Sequence, residues 1–176
     1  MKSLPWIIVA TALIGSILQA VLFWPQLPNK VASHFNGAGQ PDGWMSKTNF
    51  VAMTLLLQFG LAAMMFGIGW LVRVLPPSMI NIPNKEYWLA GERRDQTLND
   101  SAAMMAWIAA GTAVFMMVIF YFSFDANVGE KNGLNSTATW IAVVIYLVWL
   151  TVYCVMSLKK YYSVPARWAG SRSGFG

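Results

Sequence analysis

Apolar positions along this chain run together in long blocks and do not alternate with polar ones. Four blocks, residues 4–24, 50–72, 102–124 and 138–158, reach spanning length. A helix rising 1.5 Å per residue needs about 20 residues to cross about 30 Å of hydrocarbon. None of the four contains Asp, Glu, Lys, Arg or His. Inside a bilayer the backbone must satisfy its own hydrogen bonds, so each block is expected as a helix. The pattern therefore predicts an all-α integral membrane four-helix bundle. A single four-span domain would cover residues 1–169, with a flexible Gly/Ser/Arg tail over 170–176. The first block follows a basic residue, Lys2, as a signal peptide would. It is too long for that role, and Leu18-Gln19-Ala20 is a poor small-x-small cleavage site, so an uncleaved span is expected.

The polar segments between the blocks set orientation. Lys2, Arg73, Lys85, Arg93, Arg94, Lys159, Lys160, Arg167 and Arg172 flank one side of the spans, and Lys30, Lys47 and Lys131 the other. Basic residues are retained in the cytoplasm. The nine-to-three division predicts both termini and the middle loop inside. Trp24, Trp44 and Trp140 then fall at outer ends, and Trp70, Trp88 and Trp168 near inner ends, where indole rings suit the water–lipid boundary.

Composition supports this and narrows the function classes. Only 11% of residues are charged against 57% hydrophobic, whereas soluble domains carry about 25% charged residues. The net charge of +5 sits beside the apolar blocks and reads as topological, so no nucleic-acid partner is expected. The bilayer itself is the first partner, and a bacterial inner membrane the expected location. Cys154 is the only cysteine. It excludes an intramolecular disulfide and reads as a small packing residue.

Within the blocks polar residues are few. Gln19 and Gln58 lie at comparable depths below the outer ends, close enough for a bond between the first two helices. Ala63-x-x-x-Gly67 with Gly60 offers a close-contact face on the second. The absence of ionisable groups from the spans argues against a proton-driven pump or ion carrier. Met64-Met65, Met104-Met105 and Met116-Met117 read as lipid-facing or core filler.

The distinctive segment is the first outer connection, 27–47. It holds the only histidine, His34, and two turn signals, Asn36-Gly37 and Pro41-Asp42-Gly43. It reads as a compact, self-hydrogen-bonded loop anchored by Trp44. In the functional reading His34, Phe35, Asn36, Asp42, Trp44 and Lys47 form a binding surface. His34 and Asp42 are the residues a metal would have to use, with Asp125 as a further acid. That falls short of the three or four ligands such a site needs, so no metal or other cofactor is expected. A His34, Asp42 and Ser46 arrangement is conceivable for nucleophilic chemistry, but sequence proximity is not triad geometry.

On the other side, Pro76-Pro77 stops the second helix. Pro83-Asn84 looks like the start of a short helix through Lys85, Tyr87 and Trp88, lying on the membrane surface. Glu92 to Asp95 would prolong the third span. Asn84, Lys85, Tyr87 and Trp88 are the candidate contact residues here, weighed against a solvated, charge-mixed helix face.

Leu27, Pro28, His34, Phe35, Asn36, Gly39, Asp42, Trp44, Ser46 and Lys47, in that order, resemble a bacterial membrane domain of unknown function found at the N-terminus of SdpI-type immunity proteins. Ile82-Pro83-Asn84-Lys85-Glu86-Tyr87-Trp88-Leu89 resembles the loop that follows in many of them. The resemblance covers the first half to two thirds of the chain. It implies the domain assignment and has no established catalytic residues to carry over. The SdpI proteins protect against a membrane-active toxin peptide, and this chain is expected to lack their longer second half. The resulting expectation is a non-enzymatic inner-membrane protein binding a peptide or membrane-protein partner through its outer loop. The alternatives are an accessory subunit of a larger membrane complex, or a small membrane enzyme or metal-binding protein using His34 and Asp42.

Overall fold

The structure, a computed structural model, describes residues 3–129 and 133–165. Lys2, Lys131, Arg167, Trp168, Arg172 and the 170–176 tail lie outside the described residues. The elements run α1 (Leu4–Phe23), β1 (Lys30–Phe35), β2 (Pro41–Ser46), α2 (Lys47–Val74), α3 (Lys85–Trp88), α4 (Arg93–Asp125) and α5 (Ser136–Lys159). Three single 3₁₀ turns, Trp24–Gln26, Pro77–Met79 and Lys160–Tyr162, lie between or after them.

Each helix boundary has a local cause. Pro5 sits in the first turn of α1, where a missing N–H costs nothing. Ser46 caps α2 by accepting from the Asn49 N–H at 3.3 Å, and Asn135 caps α5 by accepting from the Ala138 N–H at 3.0 Å. Leu75, forced out of helical backbone by the following prolines, ends α2. Helices α1, α2, α4 and α5 are each long and apolar enough to cross a membrane. At 33 residues α4 is about 50 Å long. Its charged first turns, Arg93 to Asp100, therefore extend beyond a hydrocarbon layer of about 30 Å. The expected prolongation of the third span is what the structure shows.

The long helices alternate in direction. Two of the connections meet at one end, where the Leu134 N–H donates to the Gly39 carbonyl at 2.9 Å. At the other end Asn84 Nδ2 and Trp88 Nε1 donate to the Tyr161 carbonyl at 3.0 and 3.3 Å. Both ends of the described chain thus share the side of the 75–92 connection.

Helix α4 is the centre. It packs against α1, α2 and α5, whereas α5 rests chiefly on α4. The contact face of α4 is a stripe of alanines: Ala102, Ala106, Ala109, Ala110 and Ala113 are all buried. Small side chains at this spacing let backbones approach, which is how helices associate where lipid removes the hydrophobic drive. Above it, Phe50, Phe120, Phe124, Ala20, Leu27 and Val31 close a core at the hairpin end. Below it, Ile80, Leu89 and Leu98 form a smaller one.

Three expectations are corrected. Gly60 and Gly67 have nothing within 4 Å of where a Cβ would stand, and with Ala63 they are exposed, so that face of α2 makes no close helix contact. Gln19 and Gln58 do not bond to each other: their Nε2 groups donate to the Met117 and Ala113 carbonyls of α4, at 3.3 and 3.0 Å. Finally, the all-α expectation fails in the first connection, which is a two-stranded antiparallel sheet.

Candidate functional site

The hairpin begins from its apolar positions. Val31 on β1 is fully buried in the core at this end, and its cross-strand partner Met45 packs beside it. Lys30 pairs with Ser46, Ala32 with Trp44, His34 with Gly43 and Phe35 with Pro41. This register leaves Ser33 and Asp42 as extra residues on their strands, two bulges that compensate one another. Pro41-Asp42-Gly43 is therefore not the turn its composition suggests. It is strand with a bulge, and bulges re-aim side chains.

The bulges bring His34 and Asp42 together, Nδ1 against Oδ1 at 2.5 Å. A carboxylate only accepts, so Nδ1 is the donor of this bond, and Nε2 is left for other partners. A Cβ at Gly43 would stand 3.0 Å from the His34 Cβ, so glycine leaves the imidazole its place. The pair is open to solvent, the side chains 74% and 45% exposed. Ser46 does not join them. It lies three strand positions beyond Gly43, about 10 Å away, and its hydroxyl caps α2. No triad forms. Among the described residues, no three His, Cys, Asp or Glu side chains gather as metal ligands.

The tip closes on Asn36, whose Oδ1 accepts from the Ala38 and Gln40 N–H groups at 3.0 Å each. Gly39 follows in left-handed backbone, φ 81°. The tip is tied sideways by the Gly39–Leu134 bond, and by Trp140 Nε1 donating to the Gly37 carbonyl at 3.4 Å. At the foot, Lys47 Nζ donates to the Trp24 and Leu27 carbonyls at 3.1 and 3.3 Å and lies 4.7 Å from the Trp24 ring centre. A cation at a helix C-terminus and over an indole face is favourable on both counts.

Asn127, which sequence reasoning missed, does most to fix β1. Its Oδ1 accepts from the Ala32 N–H at 2.7 Å, while its Nδ2 donates to the Ala32 and Ser123 carbonyls, both at 2.9 Å. An asparagine in the turn after a helix carries no sign of a partner 95 positions away. Because Ala32 directs its backbone groups to Asn127, its cross-strand partner Trp44 directs its own away from β1. The outer edge of β1 is thus covered. The edge of β2 at Trp44 has no hydrogen-bond partner among the described residues. The Trp44 ring is 51% exposed, with Lys30 Nζ 5.6 Å from its centre.

Of the named outer-loop residues, His34, Asp42 and Trp44 are displayed. Phe35 is half-buried, and Asn36 and Lys47 are engaged in holding the hairpin. Asn84, Lys85, Tyr87 and Trp88 lie at the opposite end of the molecule and belong to no common site with them. Asn84, in left-handed backbone at φ 52°, and Trp88 bond Tyr161. The Tyr87 ring lies 4.1 Å from the Arg93 guanidinium carbon. Lys85 lines a cleft of about 200 Å³ with Pro77, Ser78, Glu86, Leu89 and Ala90. The expected short helix is present, four residues long, and is tied to the Lys160–Tyr162 turn by the Asn84 and Trp88 bonds.

The fold defines a mostly helical protein with four helices of membrane-spanning length, topped by a bulged hairpin. Residues 6–58 match the family described as "Domain of unknown function (DUF1648)", the N-terminal domain that the loop motif led us to expect. The match takes in α1, the hairpin and the first half of α2. It ends before the Ile82–Leu89 segment, so the resemblance of that segment lies outside it. No curated protein and no solved structure matches the chain.

Proposed function

We propose that this is a non-enzymatic protein of the bacterial inner membrane, with both termini cytoplasmic. It captures a peptide or membrane-protein partner on the outer hairpin. The observation that carries this is the open edge of β2 beside the His34–Asp42 pair. An extended segment adds to such an edge through main-chain hydrogen bonds, and side chains alongside select it. Here the selecting groups are the Trp44 ring, the imidazole Nε2 and the ammonium of Lys30. The hairpin is also tied on three sides, so little ordering entropy opposes binding. His34→Ala and Asp42→Ala should leave insertion intact and abolish partner capture in a crosslinking pull-down from membranes. Undiminished capture by both variants would remove the proposal.

The His34–Asp42 pair also favours a second reading, a metal-binding protein or small membrane enzyme in which Nε2 is a ligand or base. Elemental analysis of purified protein separates the two. A stoichiometric metal lost in His34→Ala supports the second reading, and none counts against it.

A further inference from the structure

The open edge of β2 and the outer face of α2 point the same way. Asn127, in the turn after α4, closes the outer edge of β1, so the edge of β2 faces away from α4. Helix α2 begins at Lys47, directly after β2, and turns Thr54 and Gln58 inward, Gln58 donating to the Ala113 carbonyl of α4. Ala63 and Gly67 follow Thr54 by about 180° and 220° around the helix, on the side opposite α4. Both are exposed, and nothing lies within 4 Å of where a Gly67 Cβ would stand. One side of the molecule thus presents an unpaired strand edge at its outer end and, about 24 Å along α2 from Lys47, a face that another helix can approach closely.

The orientation of the sheet decides what can meet both. Val31 and Met45 point into the core formed by Phe50, Phe120 and Phe124, so the sheet lies across the end of the bundle and its edge points sideways. The Trp44 N–H and C=O, and by the same alternation the Ser46 N–H, call for an extended strand. A foreign peptide answers this edge alone. A second copy answers both features at their own depths. Rotation by 180° about an axis parallel to the helices sets β2 antiparallel to β2 of the second copy and α2 alongside its α2. Both copies keep the same direction across the membrane, and such an interface is self-complementary. The dimensions agree. With Trp44 on the axis, Ser46 stands about 14 Å from Ser46 of the second copy. Two α2 helices, each 10–12 Å across, that start about 14 Å apart are nearly in contact. The two Lys30 residues stand about 20 Å apart, beyond the screening length of about 8–10 Å.

We infer that the partner taken by the β2 edge is a second copy of this chain, in a two-fold dimer where β2 pairs with β2 and α2 meets α2 at Ala63 and Gly67. This rests on the reading of that edge as the capture site and names its occupant. Asp42, bonded to His34, lies two strand positions from the axis, so His34→Ala and Asp42→Ala act at this interface.

The test is made in native membranes, with the full chain expressed as two differently tagged copies in a Cys154→Ser background. Ala63→Cys and Gly67→Cys should form disulfide-linked dimers several-fold more than Val148→Cys on the exposed face of α5. Benzoylphenylalanine in place of Trp44 should give, on illumination, an adduct of twice the chain mass that joins the β2 segments of two copies. Ala63→Leu and Gly67→Leu should each lower that adduct several-fold, with amide exchange showing α2 still packed on α4. Equal disulfides at 63, 67 and 148, or a Trp44-position adduct indifferent to both leucines, would overturn the dimer. An adduct from the same position to a different protein would overturn it too and leave partner capture standing. No protein adduct from that position would remove both.

Discussion

Gly39 and Gly133 meet backbone to backbone. A Cβ on Gly39 would stand 2.4 Å from the Leu134 carbonyl, and one on Gly133 2.3 Å from the Gly39 carbonyl, with φ of 81° and 125°. Either alanine substitution meets both strain and a clash, so Gly39→Ala should destabilise by about 1–3 kcal/mol. Thermal unfolding in detergent measures this; Gly37→Ala, with open space around it, is the silent control. Asn127 carries a comparable prediction. Its loss leaves the Ala32 N–H and C=O without partners, at a cost of about 1–3 kcal/mol. Asn127→Ala should raise amide exchange across β1 while leaving α2 protected, and unchanged exchange would show that the clamp is not needed. Neither residue was legible in these roles. The turn character of Asn36-Gly37 could be read, because a short polar side chain bonding its own backbone is a local event. The partner of Gly39 is Leu134, before α5, and that of Asn127 is Ala32 on β1, each about 95 positions away, and no local signal encodes them.

Among the elements, the four long helices were legible almost to their ends, since length and the absence of charge dictate them. The packing between them was not. Ala63-x-x-x-Gly67 has the composition of a contact face yet looks outward, whereas the alanines of α4 do the packing. In a chain where most positions are apolar, periodicity no longer tells a lipid-facing side from an interior one. The close approach lies instead at Gly111, where a Cβ would come within 2.2 Å of the Trp149 ring. Gly111→Leu should expel that ring and loosen α5, destabilising by about 1–3 kcal/mol, whereas Gly60→Leu should change stability by less than about 0.5 kcal/mol. Melting curves of the two variants side by side check the assignment, and equal effects would refute it. The hairpin escaped sequence reading because its strands are short and carry Pro, Gly and two bulges, each of which argues locally for a turn.

At the scale of the molecule, the even number of helices and the bonds at each end place the hairpin opposite both ends of the described chain. If the basic residues fix those ends in the cytoplasm, the His34–Asp42 pair and the open strand edge face outward, and a partner must come from that side. Every functional statement about the hairpin depends on this one placement. It is tested by thiol labelling in intact bacteria with a membrane-impermeant maleimide, in a Cys154→Ser background. The labelled positions are a cysteine at Gly37, at the tip, and one at the exposed Glu92 of the opposite end. The account predicts that Gly37→Cys is labelled in intact cells and Glu92→Cys only after the membrane is broken; labelling of Glu92→Cys with Gly37→Cys protected would contradict it.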